Sequence, residues 1–325
     1  MSPLNVICYS DGRPGHEKQS RAVLIALGRL TPLSIATRTL GETAGLKRLV
    51  QGLHRLTGIV KDVEASALPT VDLIIGTGST THLPMVGLKL RSGARVVTCM
   101  TPDPWLKPWF DLCFVPRHDK PPSGSKYFPT FGPPCLPLRS DRHNLKKGLV
   151  LAGGVDARSH LWHTADFVAQ VEMLLSKGPD MSWTLASSGR TPSDAVDALR
   201  DLAADRNNVE FYSADETPQG WIESAYEAHG QVWVTADSVS MIYEALTAGC
   251  RVGVLPVAWR HSDNKFRNGI DDLKRRDLIV DFDRWIQGAA SAHIAQSFNE
   301  AARCANEILL RWWPERLGRR HVSSL

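Results

Sequence analysis

Short apolar runs alternate with helical patterns along most of the chain. In the first half, the runs that predict strands occupy residues 5–9, 33–38, 73–75, 95–99 and 112–115. In the second half, they occupy residues 147–151, 182–186, 209–212, 232–235 and 252–255. Strands that alternate with helices in this way are typical of parallel α/β layers.

The alternation of strand and helix patterns is interrupted at residues 116–137. This segment is dense in proline and glycine and predicts a domain boundary. We therefore expect an α/β fold of two Rossmann-like domains that face each other across a cleft, where the ligands of such sheets bind. A last helix is predicted over about residues 291–311. The expected domains span residues 1–140 and 141–300, with 301–325 as a helix and tail.

Composition narrows the class of protein. With 325 residues, the chain is long enough for two domains, and its net charge of +4 is too mild to indicate a nucleic-acid partner. No apolar run is long enough to span a bilayer, and the first residues lead directly into a strand without a signal-peptide pattern. The 6 cysteines are scattered and predict reduced core residues of a cytoplasmic protein, not disulfides or metal ligands.

Residues 231–256 carry the most informative pattern. They predict a buried strand, a polar turn, a short helix that ends at Gly249, and a second buried strand. The turn places Asp237, Ser238 and Ser240 at a helix start, where backbone N–H groups hold an anion such as a diphosphate. Glu244 follows one turn later and is placed to accept hydrogen bonds from the sugar hydroxyls of a nucleotide. The alternative is an α/β element that is merely well capped.

Two further loops of the second half follow predicted strands. One contains Gly153 and Gly154, and the other contains Ser188 and Arg190, whose cation could neutralise phosphate. Because α/β ligand sites are assembled from several strand ends, we expect these residues to bind the same ligand.

The first half offers candidates for proton transfer. Its first strand leads into a loop with Asp11, His16 and Glu17, which are plausible proton acceptors at the carboxyl end of a strand. Gly12 and Gly15 would let this backbone turn tightly beside a ligand. The alternative is that the two acids only build the turn and offset the helix dipole.

Other strand ends of the first half carry polar groups that would suit hydroxyl-rich or anionic ligands. A second glycine loop contributes Gly78, Ser79 and Thr80, and a later loop contributes Asp103.

Residues 46–60 form a basic amphipathic pattern that could rest on an anionic membrane surface or simply pack against the sheet. Contact with the inner face of the cytoplasmic membrane is therefore a further expectation.

The loop motifs resemble those of the mitochondrial-fission ELM family, whose members often carry a nucleoside-diphosphate-sugar epimerase label. The matching motifs are SDGRPGHEKQS at 10–20, GTGSTTH at 76–82, VPRHD at 115–119, LAGGVD at 151–156 and TADSVSMIYEA at 235–245. The arrangement is also similar to GT-B glycosyltransferases, in which a glutamate and alanine pair such as Glu244 and Ala245 binds the nucleotide ribose. The proline that normally follows in that motif is absent here.

This resemblance implies a GT-B architecture, donor binding without a metal or other cofactor, and a C-terminal helix that crosses back to the first domain. We therefore expect the strand-end residues of the second half named above to bind the donor. On the acceptor side we expect Gly12, Gly15, Gly78, Ser79, Thr80 and Asp103. It favours an inverting transfer of a sugar from a nucleotide-diphosphate sugar to a lipid-linked or other envelope acceptor. A nucleotide-sugar epimerase is one alternative. A non-catalytic adaptor is another, because plant members of the family are described as recruiters of a dynamin-like protein.

Overall fold

The chain forms two compact units in the computed structural model. Unit 1 comprises Met1–Pro137 and Asn299–Leu325, and unit 2 comprises Leu138–Phe298. The structure describes residues 1–40, 70–136, 138, 141–261, 264–289 and 298–317. Residues 46–60, the predicted amphipathic element, lie outside the described residues.

Each unit contains one six-stranded sheet in which every described pair of neighbours is parallel. The strands of unit 1 are β1 (Leu4–Ser10), β2 (Leu33–Thr39), β3 (Leu73–Gly76), β4 (Arg95–Thr98), β5 (Leu112–Pro116) and β6 (Tyr127–Thr130). Unit 2 contributes β7 (Asn144–Leu151), β8 (His160–Leu161), β9 (Ser182–Ala186), β10 (Val209–Tyr212), β11 (His229–Thr235), β12 (Arg251–Leu255), β13 (Ala258–Trp259) and β14 (Ile279–Asp281), of which β8 and β13 form a separate antiparallel pair.

The described helices connect these strands. They are α1 (Pro14–Gly28), α2 (Ser79–Ser92), α3 (Thr164–Lys177), α4 (Ser193–Ala204), α5 (Trp221–Ala228), α6 (Val239–Thr247), α7 (Lys265–Arg275), α8 (Phe282–Ile286) and α9 (Glu300–Trp312). Short 3₁₀ helices lie at Lys107–Trp109, Arg117–Asp119, Ala214–Glu216 and Pro314–Arg316. No helix among the described residues is both long and apolar enough to cross a lipid bilayer.

Apolar residues on both faces of the sheet in unit 1 explain the unbroken apolar runs. Leu4 and Val6 of β1 pack in the layer that contains α1 and α9, whereas Ile7 and Tyr9 pack in the layer that contains α2. Because parallel sheets are covered on both faces, successive strand residues are apolar instead of alternating with polar ones.

The last helix belongs to the core of unit 1. Asn299 caps α9 by accepting a hydrogen bond of 2.9 Å from the backbone N–H of Ala302. The buried face of α9 has the spacing of an amphipathic helix and consists of Ala301, Cys304, Ala305, Ile308 and Leu309. The predicted return of the C-terminal helix to the first domain is confirmed.

Two tryptophans of unit 2 lie across glycines of neighbouring strands. Trp183 of β9 pairs with Gly148 of β7, and Trp233 of β11 pairs with Gly253 of β12. A Cβ atom on either glycine would lie 2.4 Å from an indole carbon, well inside contact distance. The two glycines therefore provide the space in which the indoles pack against the sheet.

Two sequence interpretations need correction or addition. The segment at residues 116–137 is not only a boundary, because it contains β6, an edge strand that tolerates Pro129. The strand β14 at the other sheet edge is short and was not predicted. The 6 cysteines are free thiols, and burial raises the pKa of Cys8 to about 11 and that of Cys99 to about 12.

Candidate functional site

The strand order of unit 2 reverses between β7 and β11. Its sheet runs β10-β9-β7-β11-β12-β14, which is the doubly wound order 3-2-1-4-5-6 when its strands are counted along the chain. Ligands of such sheets bind outside the carboxyl ends of the two strands that flank the reversal. Here those ends lead into Gly153 and Gly154 after β7 and into Asp237 and Ser238 after β11.

Asp237 connects these loops. Its side chain is only 1% exposed, and its Oδ2 accepts hydrogen bonds from the backbone N–H of Gly154 (3.1 Å) and from Nη2 of Arg190 (2.9 Å). The same Arg190 nitrogen donates to Oγ of Ser238 at 3.1 Å. The structure thus brings together four of the predicted donor residues, and it gives Asp237 an orienting contact with Arg190.

The two glycines of this cluster are required by close packing. A Cβ atom on Gly153 would lie 2.2 Å from Oδ2 of Asp237, and one on Gly154 would lie 1.9 Å from the carbonyl oxygen of Arg190. Ser188 holds the same loop by donating its hydroxyl to the carbonyl oxygen of Gly153 at 2.7 Å. Any larger residue at either position would displace the arginine or the aspartate.

The start of α6 completes the cluster. The helix begins after Ser238, and its first described intrahelical bond runs from Ile242 N–H to the carbonyl oxygen of Ser238. The amides of the first turn therefore have no intrahelical acceptor, and Ser238 makes no side-chain cap to them. Ser240 is exposed in this turn, and Glu244 lies half-buried one turn later. With Arg190 still 45% exposed, the cluster offers N–H groups and a cation to an anion.

Unit 1 has a corresponding reversal between β1 and β3, in the order β2-β1-β3-β4-β5-β6. The loop after β1 contains Asp11, and the first turn of α1 contains His16; the Oδ2 and Nδ1 atoms of these two residues are 2.8 Å apart. The side chain of Asp11 is 5% exposed, and that of His16 is 29% exposed. Because an ionised carboxylate only accepts, it fixes the proton on Nδ1 of His16 and leaves Nε2 as an acceptor.

Gly78 of the second glycine loop lies directly against this pair. Its φ of +106° is a conformation that residues with side chains rarely adopt. A Cβ atom there would lie 2.3 Å from Oδ2 of Asp11 and 2.7 Å from Nδ1 of His16. The two loops are therefore one structural unit, further connected by a buried hydrogen bond of 2.8 Å between the hydroxyls of Ser20 and Thr77.

The other predicted residues of unit 1 take different positions. Glu17 accepts a hydrogen bond from the hydroxyl of Ser10, which in turn accepts one from the N–H of Gly12 at 3.0 Å. Glu17 thus stabilises the loop. Gly15 lies inside α1, and outside that helix no described residue has an atom within 4 Å of the position of its missing Cβ. Ser79 is exposed, and Thr80 has a buried hydroxyl with no hydrogen-bond partner in the described part of the chain.

His82 lies near the Asp11–His16 pair, and its sequence motif did not predict a role for it. Its side chain is fully buried, with Nδ1 3.5 Å from a carboxylate oxygen of Asp103, and neither ring nitrogen has a hydrogen-bond partner among the described residues. Burial lowers the pKa of His82, Asp103 raises it in opposition, and the nearby His16 lowers it further. The histidine that ends the GTGSTTH motif was the available signal.

The family is identified by its sequence profile, that of mitochondrial fission ELM1, which matches residues 14–312. The chain belongs to the mitochondrial fission ELM1 family. This confirms the resemblance inferred from the loop motifs. No curated protein matches the sequence of this ELM1-family chain.

The solved structures that are similar to this ELM1-family chain include UDP-GlcNAc 2-epimerases and glycosyltransferases. A UDP-GlcNAc 2-epimerase from Methanocaldococcus jannaschii has 9% identity and a TM-score of 0.55, over 95% of this chain and 99% of the epimerase. A glycosyltransferase from Rickettsia africae has 10% identity and a TM-score of 0.53, over 98% and 100% of the two chains. A UDP-GlcNAc 2-epimerase from Neisseria meningitidis, bound to UDP-GlcNAc, has 12% identity and a TM-score of 0.51, over 95% and 100%. The ELM1-family fold is therefore of the GT-B type, as expected.

Proposed function

We propose that the chain is an inverting glycosyltransferase that moves a sugar from a nucleotide-diphosphate sugar to an acceptor of the cell envelope without a metal. The observation that carries this proposal is the cluster at the strand reversal of unit 2. There Arg190, which is paired with Asp237 and remains half-exposed, and the amides at the start of α6 offer N–H donors to an anion. Such groups stabilise the charge that develops on a leaving diphosphate.

The donor in this proposal is held at two places. The diphosphate binds at the first turn of α6, and Glu244 accepts hydrogen bonds from the ribose hydroxyls one helical turn away. The similarity of the fold to a UDP-GlcNAc 2-epimerase bound to UDP-GlcNAc supports a nucleoside diphosphate as the ligand class.

The acceptor would be activated by the pair in unit 1. The acceptor hydroxyl attacks the anomeric carbon, the bond between that carbon and the diphosphate oxygen breaks, and the hydroxyl proton passes to Nε2 of His16. Asp11 orients the imidazole and stabilises the cation that forms, as a carboxylate does beside a catalytic histidine. General-base catalysis of this kind contributes roughly 10²–10⁴-fold to a rate.

Binding measurements test the donor site. Calorimetric titration with UDP and UDP-GlcNAc should show that Arg190→Ala weakens binding about 10- to 150-fold, the effect of losing a hydrogen bond to a charged group. Glu244→Ala should weaken it as well. Arg200→Ala is the matched control, because Arg200 of α4 is similarly exposed and also ion-paired. Equal affinity in the Arg190 and Arg200 variants would remove Arg190 from the site.

Product analysis separates the reaction classes. With nucleotide sugar alone, an epimerase forms an epimer, whereas the proposed transferase forms no product beyond slow hydrolysis. With an acceptor extract from cell envelopes, transfer should depend on His16, and His16→Ala should retain donor affinity while turnover falls. Epimer formation without an acceptor would refute the transferase. Absence of nucleotide affinity at millimolar concentration would favour an adaptor.

A further inference from the structure

Unit 2 contains a pocket on one face of its sheet, apart from the loops at the strand reversal. It has a volume of 390 Å³, within the range of small-molecule sites. Its floor is formed by residues of β9 and β10, and its wall is formed by α5. Ser182, on the floor, lies about 20 Å along the strand direction from Ser188 of the donor loop. We call it the strand-face pocket; its lining includes Lys147, Ser182, Thr184, Glu210, Tyr212, Trp221 and His229.

The polar floor is unusual for a parallel sheet. Trp183 and Leu185 of β9 point into the core, as do Val209 and Phe211 of β10, so the intervening residues occupy the opposite face. In a parallel sheet that face is normally apolar because helices cover it. Here the intervening residues are Ser182, Thr184, Glu210 and Tyr212. The chain therefore places hydrogen-bonding groups where packing alone would call for apolar side chains.

The hydrogen bonds at the floor leave acceptors available. Nδ1 of His229 lies 2.7 Å from the carbonyl oxygen of Ala225, so it carries the proton and donates it. Nε2 then accepts the hydroxyl proton of Thr184 at 3.1 Å, which leaves the lone pairs of that hydroxyl for another donor. The hydroxyl of Tyr212 donates to one oxygen of Glu210 at 3.3 Å. The other carboxylate oxygen has no hydrogen bond from the described residues.

The charges of the pocket oppose each other. Burial lowers the pKa of His229, Lys147 lowers it further, and Glu210 raises it. A cation and an anion therefore lie close to the same ring, and the pocket carries no net charge from these two groups. Such a balance gives no net attraction for an anion such as phosphate and suits a neutral ligand.

Aromatic rings form one side of the pocket. The rings of Tyr212 and Trp221 are in contact, with centroids 5.3 Å apart, and both side chains are partly exposed. The aromatic rings fit the apolar face of a pyranose ring. The neighbouring hydrogen-bond acceptors fit the hydroxyl groups at its edge. We propose that the strand-face pocket binds a neutral saccharide, separately from any nucleotide sugar at the strand reversal.

Saturation-transfer NMR and calorimetric titration with two neutral disaccharides, maltose and N,N′-diacetylchitobiose, test this proposal. We expect millimolar or tighter binding of at least one disaccharide. Glu210→Gln should weaken it about tenfold or more, because a charged acceptor is lost from an exposed residue whose replacement keeps the fold. Ser182→Trp should abolish binding by filling the pocket. Trp105→Ala, which removes a 58% exposed tryptophan of unit 1, is the control for general surface effects.

The outcome does not depend on the proposed transferase activity, because UDP affinity is measured on the same variants. UDP binding should be unchanged in Glu210→Gln and in Ser182→Trp. The inference is wrong if neither disaccharide binds, or if binding persists in the Ser182 variant. It is also wrong if Arg190→Ala, and not Glu210→Gln, removes saccharide binding, because the sugar would then occupy the donor site.

Discussion

Gly154→Ala tests whether the glycine loop fixes the position of the arginine. The added Cβ would lie 1.9 Å from the carbonyl oxygen of Arg190 and 2.5 Å from the backbone nitrogen of Thr191. The φ of Gly154 is not in the positive region, so the cost is steric and not conformational. Backbone atoms cannot rotate away as a side chain can. The loop that carries Arg190, now held by a hydrogen bond of 3.0 Å from Val155 N–H, must therefore move.

The expected magnitude follows from this geometry. Overpacking of a well-packed site costs about 1–3 kcal/mol, and a clash with backbone belongs at the upper end. For a unit of this size, each kcal/mol lowers the melting temperature by roughly 2–4 °C, so a cost of about 3 kcal/mol should lower it by about 6–12 °C. If displacement removes the Arg190 contact with a diphosphate, UDP affinity should fall about 10- to 150-fold, which corresponds to about 1.5–3 kcal/mol.

Gly189→Ala is the matched control. Gly189 lies in the same loop, also outside the positive φ region, and apart from its chain neighbours no residue that the structure describes has an atom within 4 Å of the position of its missing Cβ. Differential scanning calorimetry and UDP titration should separate the two variants. If both melt within about 1 °C of each other and bind UDP equally, the loop does not position Arg190 in the way that the structure indicates.

Three further predictions concern unit 1 and the thiols. Gly78→Ala should lower the melting temperature more than Gly93→Ala, because both glycines have positive φ but only Gly78 lies against the Asp11–His16 pair; equal effects would contradict this. The pKa of His82 lies below its usual 6.5, so its contribution to stability is complete above pH 6.5 and is lost as pH falls toward the folded-state pKa. The melting temperature of the native protein should therefore fall more than that of His82→Phe between about pH 7.5 and about pH 5.5; parallel curves would refute the assignment. Because the 6 cysteines are free and mostly buried, a thiol reagent at mildly alkaline pH should react rapidly only after unfolding; rapid reaction of several thiols in the native state would contradict this.

Much of the fold could be predicted because strands buried on both faces produce apolar runs that stand out in the sequence. The ranges predicted for β9 and β10 agree with the structure, and most others agree to within a few residues. The short edge strand β14 was missed because three residues give no periodic signal. The segment containing β6 was read as a boundary because its prolines are typical of turns, although an edge strand can accommodate them.

The candidate site was predictable as a set of loops but not as a set of contacts. Strand-end position alone placed Gly153, Arg190 and Asp237 together, since parallel strands bring such loops to one edge. The pairing of Asp237 with Arg190 depends on side-chain geometry that no spacing reveals. His82 was missed for a similar reason: a histidine in a helix gives no sign that it is fully buried beside a carboxylate. The assigned roles themselves remain predictions.

The discontinuous make-up of unit 1 has a consequence for biosynthesis. Because the ribosome synthesises the chain from its amino end, the whole of Leu138–Phe298 emerges from the ribosome before α9 does. Without α9, the apolar layer on one side of β1 and α1 lacks five fully buried residues and remains open to water. Until α9 emerges, the amino-terminal segment of unit 1 therefore stays partly uncovered and prone to aggregation. Unit 2 can already fold at that stage.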